Sequence, residues 1–163
     1  MGRYGSSGVL VRKNLVAEVK IHQQRDDNER PIFDVRFEKQ GREVRVLAVH
    51  PLVPFFPVMH AYRNGTLDRL RDLADEDVSV PTLVMGDMNT TPFEVDGWTL
   101  PGKMIGNPLR ISWSGIGNLY HVRIDHIRLR QGLGQHLIPI AQRVGPDMGS
   151  DHMPNFVSLS FMD

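Results

Sequence analysis

Leu83-Val84-Met85-Gly86-Asp87-Met88-Asn89 is a short apolar run that stops at a glycine and opens into a carboxylate and an amide. Apolar residues without alternating polar neighbours mark a strand buried on both faces, as in the centre of a sheet flanked by two layers. The glycine then releases the chain into a loop. Two later segments place a carboxylate beside apolar residues in a similar way: Arg123-Ile124-Asp125-His126, and Gly149-Ser150-Asp151-His152-Met153-Pro154 ahead of the last apolar stretch.

Working outward from the central run, residues 122–129, 137–144 and 155–161 read as three later strands. Residues 9–11 and 15–22 read as two early ones, the second alternating apolar and polar. The stretches 32–38 and 44–50 flank Gln40-Gly41, a hairpin signal. Between 51 and 57 the prolines break regular structure. Over 60–75 the period becomes helical, with Leu67, Leu70, Leu73 and Ala74 on one face and Arg69, Arg71 and Asp72 mostly off it. The polar stretch 23–30 and the Gly- and Pro-rich 93–118 read as surface loops. The pattern is a strand-rich α/β domain with few helices, without repeats or a linker.

At 163 residues the chain makes one domain, 1–163, large enough to bury most of its apolar surface. No run approaches the roughly 18 apolar residues of a membrane span, and Met1 to Gly8 lack the apolar core of a signal peptide. The expectation is a soluble protein, cytoplasmic if the chain is as given. With no cysteine, disulfides and thiolate metal sites are excluded. Basic and acidic residues balance at 19 each, and the arginines are interspersed with acids. Tight, sequence-independent gripping of nucleic acid usually needs a basic excess, so it is not indicated.

The carboxylates and histidines carry chemistry. In an extended segment Asp87 and Asn89 face one way and Met88 packs inward. An ionised Asp87 could bind a metal or orient a water, and Asn89 could hold a phosphate oxygen or that water. The alternative is a turn, since Gly, Asp and Asn all favour turns. Asp151 suits magnesium or manganese as a hard oxygen ligand, and His152 could be a general base, since the reference pKa of a histidine lies near neutrality. Asp125 lies among isoleucines, where a carboxylate is costly to bury unless paired; a histidine ring would be a suitable partner. His50, closing the run before Pro51, could contact a phosphate or protonate a leaving group, or be a hydrogen-bonded strand end. His126 points to the opposite strand face and is structural; His60 and Tyr62 receive no role. Trp113 could line a cleft, although core packing is the commoner place for a lone tryptophan. Together these are the equipment for metal-assisted attack of water on a phosphate ester.

Four motifs in order, Val49-His50-Pro51, Gly86-Asp87-Met88-Asn89, Ile124-Asp125-His126 and Ser150-Asp151-His152-Met153-Pro154, resemble the endonuclease/exonuclease/phosphatase superfamily. That superfamily includes deoxyribonuclease I, apurinic endonucleases, sphingomyelinases and inositol polyphosphate 5-phosphatases. The resemblance runs from about Tyr4 to the C-terminus. His50-Pro51 with Pro54, then Arg63-Asn64, looks most like uncharacterised bacterial members. It implies a two-sheet α/β sandwich of the deoxyribonuclease I-like type with the site at one edge between the sheets. It also implies roles. Asp87 and Asn89 would handle nucleophile and phosphate, and Asp151 would help hold Mg2+ or Mn2+. His152 would be base or phosphate contact, Asp125 its orienting partner, and His50 a second phosphate contact.

Members of the superfamily begin with an asparagine-bearing strand, a helix and a strand ending in a metal-binding glutamate. Here the resemblance starts after both, near 5–12, and Glu18, Glu29, Glu38 and Glu43 fall outside the motif. The expectation is an N-terminally incomplete domain, lacking the first strands and helix, with a depleted metal site and an exposed sheet edge open to self-association. The function expected is a divalent-metal-dependent phosphoesterase of nuclease or phosphodiesterase type, acting on a phosphate ester and, among candidates, nucleic acid. The alternative is a catalytically impaired phosphate-binding module. A calcineurin-like metallophosphatase also uses Gly-Asp, but its Gly-Asp-X-His and Gly-Asn-His motifs are absent.

Overall fold

Gln40 and Gly41 adopt positive φ, 56° and 71°, the signature of a two-residue turn whose twist matches that of the flanking strands. They join β2 (Ile32–Lys39) to β3 (Arg42–Val49) in unbroken antiparallel register from Ile32↔Val49 to Lys39↔Arg42. The computed structural model describes residues 7–15, 17–22, 30–91, 102–107, 111–115 and 120–162. Most of the loops expected over 23–30 and 93–118, with Glu29 and Pro92, lie outside the described residues.

The hairpin is the middle of a six-stranded sheet in the order β1-β2-β3-β4-β8-β5. Its other members are β1 (Ala17–His22), β4 (Thr82–Asp87), β5 (Lys103–Met104) and β8 (Asp125–Arg130). β3 and β4 are parallel and are linked by the helix α1 (Pro57–Glu76). β4 and β8 run antiparallel and end with Asp87 opposite Asp125. A two-stranded sheet, β9 (Leu137–Val144) and β10 (Asn155–Phe161), covers part of the other face, and β6 (Trp113–Gly115) pairs with β7 (Tyr120–Val122).

Strand alternation divides the core. Leu47, Val49 and Val84 meet Leu67, Leu70, Leu73 and Ala74 of α1. Val44, Val46, Leu83 and Met85, with Ile127 and Leu129, pack against Leu137, Val157, Leu159 and Phe161 of the second sheet. β4 is thus covered on both sides, as its apolar run requires. Arg42 ties the layers at one corner, its guanidinium 5.0 Å from the centre of the Phe161 ring and donating to the Met162 carbonyl at 2.9 Å. Removing one interior leucine, for example Leu70→Ala, should cost about 2–5 kcal/mol.

Several boundaries differ from the sequence reading, among them the strand expected over 122–129, which divides into β7 and β8. Residues 9–11 form no strand: the segment has no ladder partner, and Leu10 is fully exposed. The helix starts three residues earlier than its apolar period, because Pro57 at the first helical position brings a preset φ and lacks only an N–H the helix would leave unbonded. The Gly- and Pro-rich 93–118 stretch contains β5 and β6, short strands set by tertiary pairing. No helix of the described residues is long and apolar enough to cross a membrane.

Candidate active site

The site forms where β3, β4 and β8 end together. Gly86 makes the approach possible: its φ is 142°, and a Cβ there would fall 1.9 Å from the Val49 carbonyl oxygen. Only glycine lets β4 press this close to the end of β3, and the result sets Asp87 beside His50, with 3.5 Å between His50 Nε2 and Asp87 Oδ2.

Asp125 arrives by the ladder, directly across from Asp87. His152 is brought in from the loop before β10, its Nδ1 lying 3.0 and 3.2 Å from the two Asp125 oxygens. An ionised carboxylate can only accept, so Nδ1 is the donor, and in the neutral ring Nε2 keeps its lone pair. That Nε2 lies 3.7 Å from Asp87 Oδ2. One ligand-capable atom each from Asp87, Asp125 and His152 falls within 4.8 Å of the others. Burial pushes the Asp87 carboxyl above the usual carboxylate range; the Asn89 backbone N–H opposes this, Asp125 adds to it, and the two histidines oppose it.

Asn89 departs from the simple alternation. Its φ of 47° takes it into the left-handed region, its N–H bonds Asp87 Oδ1 at 2.8 Å, and its amide Nδ2 donates to the Pro51 carbonyl at 2.9 Å. The turn and the site are therefore one structure: the Asp-Asn turn fixes Asp87 and anchors the chain just after His50. Met88 is fully buried. Arg63, from α1, is also buried and donates to the Asn89 carbonyl at 3.0 Å, so the helix braces the same loop.

Asp151 stands apart from the close trio. It is exposed, and Trp113 Nε1–H donates to its Oδ2 at 3.0 Å, which holds its carboxyl below the usual range. Sequence reasoning favoured a core position for Trp113 and passed over Ser112. Ser112 is fully buried, and its Oγ accepts from the N–H groups of Ile124 and Asp125 at 3.1 and 3.0 Å. No local pattern signals these contacts, since their partners lie 12 to 38 residues away. His126 is buried with Nε2 donating to the Thr90 carbonyl at 2.8 Å, and burial pushes its pKa down to about 4. Glu18, Glu38 and Glu43 sit toward the hairpin end of the sheet, away from the Asp87 end.

The four groups His50, Asp87, Asp125 and His152 line one part of an open cleft of about 890 Å³. The rest of its wall is largely apolar, from Phe33, Val46, Met85, Met148 and Phe156 among others. Two carboxylates and an imidazole converging on a cleft can bind a hard divalent cation, orient a water and move its proton.

Comparison with known proteins fits this arrangement. The sequence profile of the Endonuclease/Exonuclease/phosphatase family matches residues 2–152. No curated protein matches the chain. Among solved structures, TDP2 of D. rerio complexed with single strand DNA product superposes with a TM-score of 0.66 at 16% identity, over 90% of this chain and 68% of that one. An endonuclease/exonuclease/phosphatase from Beutenbergia cavernae gives 0.60 at 18% identity, over 89% and 45%. The human Nocturnin catalytic domain with bound sulfate gives 0.55 at 16% identity, over 91% and 60%. The chain thus spans between under half and about two thirds of these proteins. The shared fold is the two-sheet α/β sandwich of the deoxyribonuclease I-like type, and, by the match over residues 2–152, the chain belongs to the Endonuclease/Exonuclease/phosphatase family.

Proposed function

We propose that this chain carries the site of a divalent-metal-dependent phosphoesterase that hydrolyses phosphodiesters. The observation that carries the reading is the convergence of Asp125, His152 and Asp87 on one cleft, with 3.0 Å between Asp125 and Nδ1 and 3.7 Å between Nε2 and Asp87. Asp125 fixes the ring and raises the basicity of Nε2. Asp87 is the acceptor for the proton of the attacking water, its turn with Asn89 keeping one oxygen engaged by a backbone N–H. His152 in its protonated form, and His50 on the other side of Asp87, would donate to the phosphoryl oxygens. Asn89 holds the loop beneath His50 through Pro51.

The donor chemistry fits Mg2+ or Mn2+: hard carboxylate oxygens, with an imidazole that manganese accepts more readily. Asp151 would hold such a cation, and Asp87 offers a second carboxylate. When bound, it polarises the phosphoryl oxygen and stabilises developing negative charge.

Nucleic acid is a substrate class supported by the TDP2 complex with single strand DNA product. The balanced charge, 19 basic against 19 acidic residues, points to small phosphodiesters as well. β1 and β10 each pair on one side only among the described residues, and these edges support self-association. The described site contains no glutamate, which favours a second reading, a phosphate-binding module that does not turn over.

Hydrolysis of a chromogenic phosphodiester with Mg2+ or Mn2+ tests the proposal, with Asp151→Ala as control. Turnover that needs the metal and is lost in the variant supports hydrolysis. Phosphate binding without turnover would move the assignment to the binding module.

A further inference from the structure

The segment at the start of β6 touches every part of the site that arrives from the C-terminal third of the chain. Ser112 Oγ bonds the two N–H groups that lead into Asp125. The Ser112 carbonyl accepts from Met153 N–H at 2.9 Å, and Ser114 N–H donates to the Asp151 carbonyl at 2.9 Å. Trp113 forms a backbone bridge with His152. Its ring lies 6.4 Å from the imidazole, centre to centre, tilted by 52°. Two segments far apart in sequence are thereby fixed against one short strand.

The indole contact adds something a backbone splint does not. Its N–H engages Oδ2 of Asp151 alone. A carboxylate so held turns less freely about its last bond. The Ser150 hydroxyl and the Asp151 backbone N–H also bond this carboxylate, and the indole is the first of its partners.

We infer that Trp113 is a positioning residue that aims Asp151, through the indole N–H, so that a divalent cation meets one fixed carboxylate oxygen beside His152. This inference rests on the metal-dependent reading above and assigns Trp113 no contact with substrate. Losing an outer partner of a metal ligand typically weakens metal binding by about 10- to 100-fold. Trp113→Phe keeps an aromatic ring against His152 and deletes only the donor.

The experiment uses the full chain and two probes. The chain has two tryptophans, so Trp98→Phe leaves Trp113 as the sole indole for sensitising Tb3+ luminescence. Saturable emission that Mn2+ competes away and that Asp151→Asn abolishes is expected. Mn2+ titration by calorimetry should show Trp113→Phe binding about tenfold more weakly than wild type, with an unchanged melting temperature. If wild type binds Mn2+ and Trp113→Phe binds it equally well, or if emission survives Asp151→Asn, the inference is wrong and the metal reading stands. If wild type binds neither ion, the metal reading falls and this inference with it.

Discussion

Among the described residues, aspartates and histidines meet in two places, and these are built for opposite ends. On the helix side, Asp34 is buried beneath a two-point contact from Arg45, at 3.0 and 2.8 Å. Arg45 passes on to the Leu73 carbonyl of α1 at 2.6 Å, and His22 closes the group at 3.3 Å. At the sheet end, Asp125 has His152 at 3.0 Å, and Asp87 has two histidines at 3.5 and 3.7 Å. The electrostatics follow from who the partners are. Burial works against ionised Asp34, but the guanidinium, permanently charged, outweighs it and the carboxyl is held below its ordinary range. Burial also works against ionised Asp87, with a second carboxylate beside it and only a backbone N–H and titratable cations to help, and there burial prevails. A carboxylate locked to arginine stabilises the fold; one left reluctant to ionise beside a histidine is free to exchange protons.

The comparison can be broken first at the site. His152→Ala should lower metal-dependent hydrolysis by about 10²- to 10³-fold, the usual range for a lost transition-state hydrogen-bond donor, while thermal unfolding shifts little. A His152 variant with wild-type turnover would reduce the Asp125–His152 pair to a structural contact. At the other pair, Arg45→Met should destabilise the protein by about 3–5 kcal/mol, because it strands a buried carboxylate. Urea unfolding measures this, and a change under 1 kcal/mol would mean water replaces the guanidinium.

The acid response should separate the pairs further. The folded pKa of Asp34 is depressed, so its stabilising contribution is present above the unfolded value of about 3.9 and is lost as pH falls through the folded value. Wild type should therefore lose urea resistance steeply below about pH 4. An Asp34→Asn variant, already weaker, should show a flatter dependence over that range. Equal slopes would contradict the account of Asp34.

Much of this was legible in the sequence, for local physical reasons. The Gln40-Gly41 turn declared the β2–β3 hairpin, and the Leu67, Leu70, Leu73 and Ala74 face declared α1, because periodicity and turn chemistry act over a few residues. Asp125 could be paired with a histidine in advance because a carboxylate between isoleucines needs a partner, and the ring it meets is that of His152. Asn89 was harder. Alternation assumed an extended chain, whereas the turn closing on Asp87 Oδ1 swings the amide onto Pro51. Ser112 and Trp113 were not legible, since a serine and a tryptophan between loops say nothing about which distant amides or carboxylate they will meet. Asp34 and Arg45 look like ordinary polar positions of two strands; only the helix laid across them makes them a buried pair.

Asp87 supplies the most direct test, because the account assigns it opposite effects on two observables. Its folded pKa is raised, so the ionised form costs stability above that value, and Asp87→Asn removes the charge. Hydrolysis and melting temperature should be read on the same Asp87→Asn preparation at pH 7. The account predicts turnover lower by at least about 100-fold together with a melting temperature higher by a few degrees, a gain on the order of 1 kcal/mol. Retained turnover, or a fall in both quantities together, would contradict the assignment of Asp87 as the site's proton acceptor.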